Sequence, residues 1–466
     1  MNFLPIFKRF ESIGWKKAVV ATGLLLVLSG CNVNGGQLAG ASSSRAIEGD
    51  VFLPVIQTGP GSSTTTVTDT TNLPTTVVTN TVGYSSEPIP GQYIVVFKSD
   101  VVIASSVDAV AATMVAQYRG TVTENYDAAL IGFAAQFPAE LSNEAVAGLQ
   151  QDPRVAYVEQ DKTIKLNPTV DTLTETDANQ VAASASEAVQ LNATWGLDRI
   201  DQRTRSLDTR YNYLATGAGV RAYIIDTGIN IAHTEFGGRA SLGYSSIGGT
   251  AADCNGHGTH VAGTIGGATY GVAKGVSLIA VRVLDCYGSG SSSSVIAGVN
   301  WVTQQKRANP ALRMVANMSL GGSRSTALDS AVNNSITAGV IYVVAAGNDN
   351  TNACNVSPAG VSNAITVGAM NNTDVRAYFS NFGICLDIFA PGVNITSAWY
   401  TSNSALNTIS GTSMASPHVA GVVALYLQSL GNVSPATVAA QLRTKATPNV
   451  VLNPGPGSPN YLLFSQ

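Results

Sequence analysis

From residue 191 onward, short apolar runs alternate with segments whose apolar positions recur at helical spacing. The apolar runs fall at 220–225, 276–284, 313–319, 340–345 and 364–369. Helical spacing is found near 258–268, 293–307, 326–338, 413–430 and 435–446. A strand that is apolar along its whole length is buried on both faces, so this alternation predicts an α/β fold: a mostly parallel sheet with helices on both sides. Residues 91–165 have another rhythm. Gln92–Phe97 reads as a strand, 106–118 as a helix, 121–136 as two strands, Leu141–Leu149 as a helix and 154–159 as a last strand. That order, β-α-β-β-α-β, predicts a small α+β unit of ferredoxin-like topology.

The remaining segments carry no such pattern. Lys8, Arg9, Lys16 and Lys17 precede an apolar run from Ala18 to Leu28, the layout of an export signal and too short to span a bilayer. It ends Leu28-Ser29-Gly30-Cys31, which resembles a bacterial lipobox, in which the cysteine is lipidated; an ordinary secretory signal with an incidental cysteine is the other reading. Residues 32–88, rich in Thr, Ser, Gly and Pro, read as a flexible tether. Residues 167–190 read as a cleavable linker, cut near 180–192. The expected organisation is therefore 1–31 signal, 32–88 tether, 89–166 small domain, 167–190 linker and 191–466 large domain.

Only 12% of the 466 residues are charged, and the net charge of −4 gives no footprint for nucleic acid. Five cysteines are present; setting Cys31 aside leaves Cys254, Cys286, Cys354 and Cys385, an even set in an exported chain, with three possible pairings.

The chemistry lies at three points. Ser413 follows small residues at the mouth of an apolar helix, whose free N–H groups and dipole point back at it. A serine so placed can attack a carbonyl and leave the oxyanion near its own amide. His257, in Gly-His-Gly-Thr-His, can serve as its base, and Asp226, ending an apolar strand, can orient that base. A metal pair of His257 and His260 is the rival, but the glutamate of a zinc-binding HExxH helix is missing. An α/β-hydrolase esterase would show G-x-S-x-G and the order Ser, Asp, His; position 415 is alanine and the order here is Asp, His, Ser.

The segments DTGIN (226–230), GHGTHVAG (256–263), SLGG (319–322), AAGN (345–348) and GTSMASPHVAG (411–421), in this order, resemble the subtilisin-like serine proteases, in particular their proteinase K and aqualysin branch. The resemblance implies a secreted endopeptidase working through an acyl-enzyme. It makes Asp226, His257 and Ser413 the catalytic triad and Asn348 the side-chain donor of the oxyanion hole. The small domain becomes an inhibitory propeptide of a self-processing zymogen. Peptide and protein substrates would bind as an added strand between Gly288–Gly290 and Ser319, Leu320 and Gly321. The pocket for the residue before the cut would be walled by Ala345, Ala346 and Gly347, which suits large apolar or aromatic side chains. Ser292 stands where relatives often carry an aromatic. The pairings implied are Cys254–Cys286 and Cys354–Cys385. Structural Ca²⁺ is implied at Asp387 with the carbonyls of Ser362 and Ala364, and at Asp198, Asp201, Gln202 and Asp208. At this second place Arg210 replaces an oxygen ligand, and surface ion pairing is the alternative. The precursor would be tethered by lipid on Cys31, and the mature enzyme an extracellular monomer.

Overall fold

The computed structural model describes residues 86–166 and 188–466. The signal segment, Cys31, the tether as far as residue 85 and residues 167–187 of the linker lie outside the described residues.

Nine strands form the central sheet of the large domain. From one edge they run Thr447–Pro448, Tyr461–Leu462, Ile388–Pro391, Ile365–Met370, Ile341–Ala345, Arg313–Met318, Val220–Asp226, Ser277–Arg282 and Ala240–Ser245. All neighbours are parallel except the short 447–448/461–462 pair. Successive side chains of each strand feed opposite covers. Val220, Ala222 and Ile224 pack with the helices His257–Gly266 and Thr412–Leu430, whereas Tyr223 and Ile225 pack with Ser292–Ala308 and Thr326–Thr337. This is the predicted parallel sheet with helices on both faces. Its strand carboxyl ends share one rim, where a site is expected.

The small domain has helices Val107–Ala116 and Ser142–Gln151 and an antiparallel sheet. Strand Pro88–Phe97 lies between Gly132–Gln136 and Val155–Lys165, with Thr121–Tyr126 at the edge. The predicted order holds, although the last strand runs six residues further than expected from its pattern, to Lys165. Those added residues are ordered by the large-domain strand Ser289–Ser291, which they pair antiparallel as the fifth strand of the sheet. Among the described residues, regular structure begins at Pro88, beside the expected boundary at 89. Ala188–Leu191 pairs with Arg210–Tyr213, so part of the expected linker belongs to the folded large domain.

Candidate functional site

Asp226 is the last residue of its strand and is fully buried. Both of its carboxylate oxygens lie 2.9 Å from Nδ1 of His257. An Nδ1–H donated to Asp226 leaves Nε2 as the basic nitrogen of the neutral ring, and Nε2 has no hydrogen-bond partner among the described residues. His257 opens a helix, and side chains from outside occupy the donors of its first turn. The His257 amide donates to Asn255 Oδ1 (3.2 Å), the Gly258 amide to Thr227 Oγ1 (2.9 Å) and the Thr259 amide to Asp253 Oδ2 (3.0 Å). Gly256, just before, has φ +112°, and a Cβ there would meet the Trp399 ring at 2.4 Å. Asp253, Asn255 and Thr227 were not singled out from the sequence; the signal was an Asp-x-Asn-Gly run leading into the histidine.

Ser413 sits in the first turn of helix Thr412–Leu430 and is buried. Its hydroxyl donates to the Ser319 carbonyl at 3.0 Å, and the Ser319 hydroxyl donates back to the Ser413 carbonyl at 2.8 Å. Asn317 supports both, donating to Ser319 Oγ (2.8 Å) and accepting from Ser416 Oγ (2.7 Å). Asn317 pairs with Ile224 across the adjacent strands. Two residues further along each strand, Ser319 therefore emerges beside Asp226. The sheet register thus gathers the serine and the Asp226–His257 pair on one rim, although the serine hydroxyl is turned to Ser319 rather than to His257.

Asn348 lies just past the neighbouring strand Ile341–Ala345. Its Oδ1 accepts from the Thr412 amide and hydroxyl, both at 2.8 Å, which fixes the orientation of the carboxamide. A Cβ placed on Gly411 would lie 3.4 Å from Asn348 Nδ2 and 3.6 Å from the Ser413 amide nitrogen. Because position 411 is glycine, that point is a hollow flanked by two nitrogen donors, the arrangement that stabilises an oxyanion.

Both expected substrate edges are lined by residues of the small domain. Lys165, Ile164 and Thr163 pair with Ser289, Gly290 and Ser291, and the Leu166 amide donates to the Gly288 carbonyl at 2.9 Å. A Cβ on Gly290 would strike the Val283 carbonyl at 2.5 Å. On the other side Leu320, Gly321 and Gly322 are buried, with Ile164 3.8 Å from the Cβ position of Gly322. Ala345 and Ala346 are buried as well, and the Gly347 amide donates to Thr412 Oγ1 at 3.1 Å. Ser292 is buried in the first turn of its helix, where Asp161 of the small domain accepts from the Ser293 amide (3.1 Å) and hydroxyl (2.5 Å).

His260 and His418 are buried packing residues. His260 bonds the Ile395 carbonyl and His418 the Met414 carbonyl, and burial pushes their pKa values down to about 3 and about 4. His257 and His260 therefore take separate partners rather than forming a metal pair.

The calcium expectations divide. Asp387 accepts from the Thr366 amide (2.9 Å) and faces the exposed Arg443 at 3.6 Å; burial raises its pKa to about 6. Asp198, Gln202 and Asp208 do converge, with Gln202 Nε2 donating to both carboxylates. Asp201 Oδ2 accepts from the Asn212 amide (2.6 Å) and side chain (2.8 Å), whereas its Oδ1 is buried with no hydrogen-bond partner among the described residues. Arg210 is exposed there. No group of three or more His, Cys, Asp or Glu converges as a metal site among the described residues. The disulfides are Cys254–Cys286 and Cys354–Cys385, with Cα–Cα distances of 4.9 and 5.3 Å.

With this geometry in place, comparisons with known proteins are specific. Residues 217–460 match the model of the subtilase family, and residues 92–167 that of peptidase inhibitor I9. The extracellular serine proteinase of Thermus sp. (strain Rt41A) is 55% identical over 398 residues, 81% of this chain and 90% of the relative. The alkaline serine exoprotease A of Vibrio alginolyticus is 50% identical over 390 residues, 81% of this chain and 68% of the relative. A crystal structure of a cold adapted subtilisin-like serine proteinase matches with a TM-score of 0.57 at 55% identity, covering 59% of this chain and 99% of that one. The chain belongs to the subtilase family: it is a subtilisin-like serine protease preceded by an I9-type inhibitor domain.

Proposed function

We propose that the chain is the precursor of a secreted endopeptidase in which Ser413 is the nucleophile, His257 the general base and Asp226 its orienting partner. The Ser413 hydroxyl exchanges its Ser319 acceptor for His257 Nε2, which takes the proton as Oγ attacks the peptide carbonyl. Asp226 stabilises the imidazolium. Asn348 and the Ser413 amide receive the oxyanion. His257 then hands the proton to the leaving amine, and water hydrolyses the ester by the same relay. Small walls at Ala345, Ala346 and Gly347 support a preference for large apolar or aromatic residues before the cut.

The observation that carries this reading is the inhibitor strand laid along Ser289–Ser291 by backbone bonds, the way a peptide substrate would add to a sheet edge. Residues 89–166 act as an intramolecular inhibitor, and self-cleavage in the linker 167–190, ahead of the paired strand that begins at Ala188, releases the large domain. The export signal and extracellular relatives support secretion. Lipid on Cys31 would retain the inhibitor side at the membrane and leave a monomeric mature enzyme free.

Calcium is common in this family. The desolvated carboxylate of Asp387, opposed by the Thr366 amide and an exposed arginine, suits a hard cation, with Ser362 and Ala364 as carbonyl ligands. Asp198 and Asp208 with the Gln202 carboxamide turned over give a second oxygen set. Bound there, Ca²⁺ would tie loops together and take no part in catalysis.

Changing Ser413→Ala tests the function. The precursor should accumulate uncut, with peptidase activity down by roughly 10⁴-fold or more. Intact-mass analysis that finds normal maturation of this variant in purified protein would refute the assignment. Asn348→Ala should lower kcat by about 10²–10³ while KM changes little, measured on a chromogenic peptide.

A further inference from the structure

The inhibitor strand has two edges, and only one belongs to the cleft strand 289–291. On its other edge the chain just upstream of the inhibitor fold resumes pairing after a bulge. Pro88 pairs with Lys162, and the ladder lapses until Tyr93 pairs with Gln160. Gln160 Nε2 bridges the gap by donating to the carbonyls of Ile89 (2.7 Å) and Gln92 (2.8 Å). Beyond the bulge, Glu87 and Thr163 are doubly joined: the Glu87 amide donates to Thr163 Oγ1 and the Thr163 amide to the Glu87 carbonyl, both at 2.9 Å. The chain then reaches the protease. The Ser323 amide donates to Ser86 Oγ at 2.9 Å, and Lys162 Nζ donates to the Arg324 carbonyl at 2.9 Å. Gly322 makes room, since a Cβ there would stand 2.5 Å from Ser86 Oγ.

We propose that the protease edge Gly322–Arg324 is a binding surface for the precursor's own segment Ser86–Pro88, which clasps the inhibitor strand into the cleft after the linker is cut. These contacts lie ahead of residue 92, where the match to inhibitor I9 begins. The inhibitor fold therefore gains hold from residues outside itself. The clasp rests on the inhibitory role assigned above and adds to it a further contact with the enzyme.

The mature enzyme contains none of residues 86–163, so substitutions there leave its kcat untouched and report on release alone. The measurement is made on full-length precursor. It compares the time at which the cut polypeptide is seen by intact mass with the time at which activity on a chromogenic peptide rises, normalised by active-site titration. Glu87→Pro removes the amide that bonds Thr163 and should shorten the lag about threefold to tenfold. Thr163→Val in that background should add little, because it breaks the same joint. A native lag in Glu87→Pro with a normal titrated yield overturns the clasp. If the yield falls, hydrogen exchange at the Ser323 amide in the uncut Ser413→Ala precursor decides: added Ser86→Ala should expose it, and unchanged protection overturns the proposal. A Ser413→Ala precursor that still cuts itself would instead sink the function on which the clasp depends.

Discussion

The sheets of the inhibitor domain and the protease domain are both covered on two faces, but only the protease supplies both of its own covers. In the strand Pro88–Phe97, Val95 and Phe97 pack with Val107, Ala111, Met114, Ala145 and Leu149 of the domain's own helices. Their neighbours Ile94 and Val96 belong to a different cluster, which includes Val295, Val299, Ala327 and Leu328 of two protease helices. Polar contacts follow the same division. Asn300 Oδ1 accepts from the amides of Ala128 and Ala129, both at 2.8 Å, and Glu159 and Asp161 accept from the first turns of the protease helices at Ala327 and Ser293. Thus a strand pattern that reads as fully buried can mean two quite different things: a sheet inside its own domain, or a sheet whose second layer is another domain.

The largest expected consequence is all-or-none. Residues 86–166 alone would expose the Ile94, Val96, Tyr126 and Ile164 face, and a domain of about 80 residues has little core to spare. The isolated segment should show no cooperative unfolding transition by circular dichroism and should gain structure when inactive mature protease is added. A sharp melt of the isolated segment would break the comparison. The protease domain should tolerate a substantial local loss. Removing the bridge between Cys354 and Cys385, which are 31 residues apart, by changing both to serine should cost about 2–4 kcal/mol and lower Tm, yet leave a folded, active enzyme. Loss of folding on that change would mean that the large domain also depends on a constraint outside its apolar core.

Legibility in the sequence followed apolar periodicity. Elements with a continuous or helically spaced apolar pattern could be read: the five central strands, the five helices and the order of the small domain. The edge strand Ala240–Ser245 could not, because its outer side is exposed and its residues Ala-Ser-Leu-Gly-Tyr-Ser have no continuous apolar run. The hairpin Ile395–Ala398/Leu406–Ile409 is too short and too polar to stand out. Asp226, His257, Ser413 and Asn348 were legible because local motifs fix their backbone surroundings. The bonds of Asp201 to Asn212 were not, since they depend on pairing between chain segments that spacing does not report. The reach of the inhibitor strand to Lys165 and the pairing of Glu87 with Thr163 were hidden for the same reason.

The smallest expected effect is also the one that separates charge from apolar burial at the shared face. Glu124, on the strand Thr121–Tyr126, is half-buried, and burial raises its pKa from 4.5 to about 7. Glu124 interacts electrostatically with Tyr126 and with Tyr244 of the protease. No cation offsets Glu124 in this set. The seated domain therefore holds a proton that the released domain gives up near its ordinary value. Below about 4.5 both forms are protonated and the hold is strongest. As pH rises from there to about 7 the released form ionises first, so the hold weakens, and above about 7 the buried charge is present in both and the loss is complete. Glu124→Gln should abolish this slope. At pH 8 the variant precursor should release active enzyme more slowly than the native one, while below about pH 4 the two should agree. Equal release at pH 8 would mean that the face joining the two domains is indifferent to charge at this strand, and that apolar cover and backbone bonds alone bind the inhibitor to its protease.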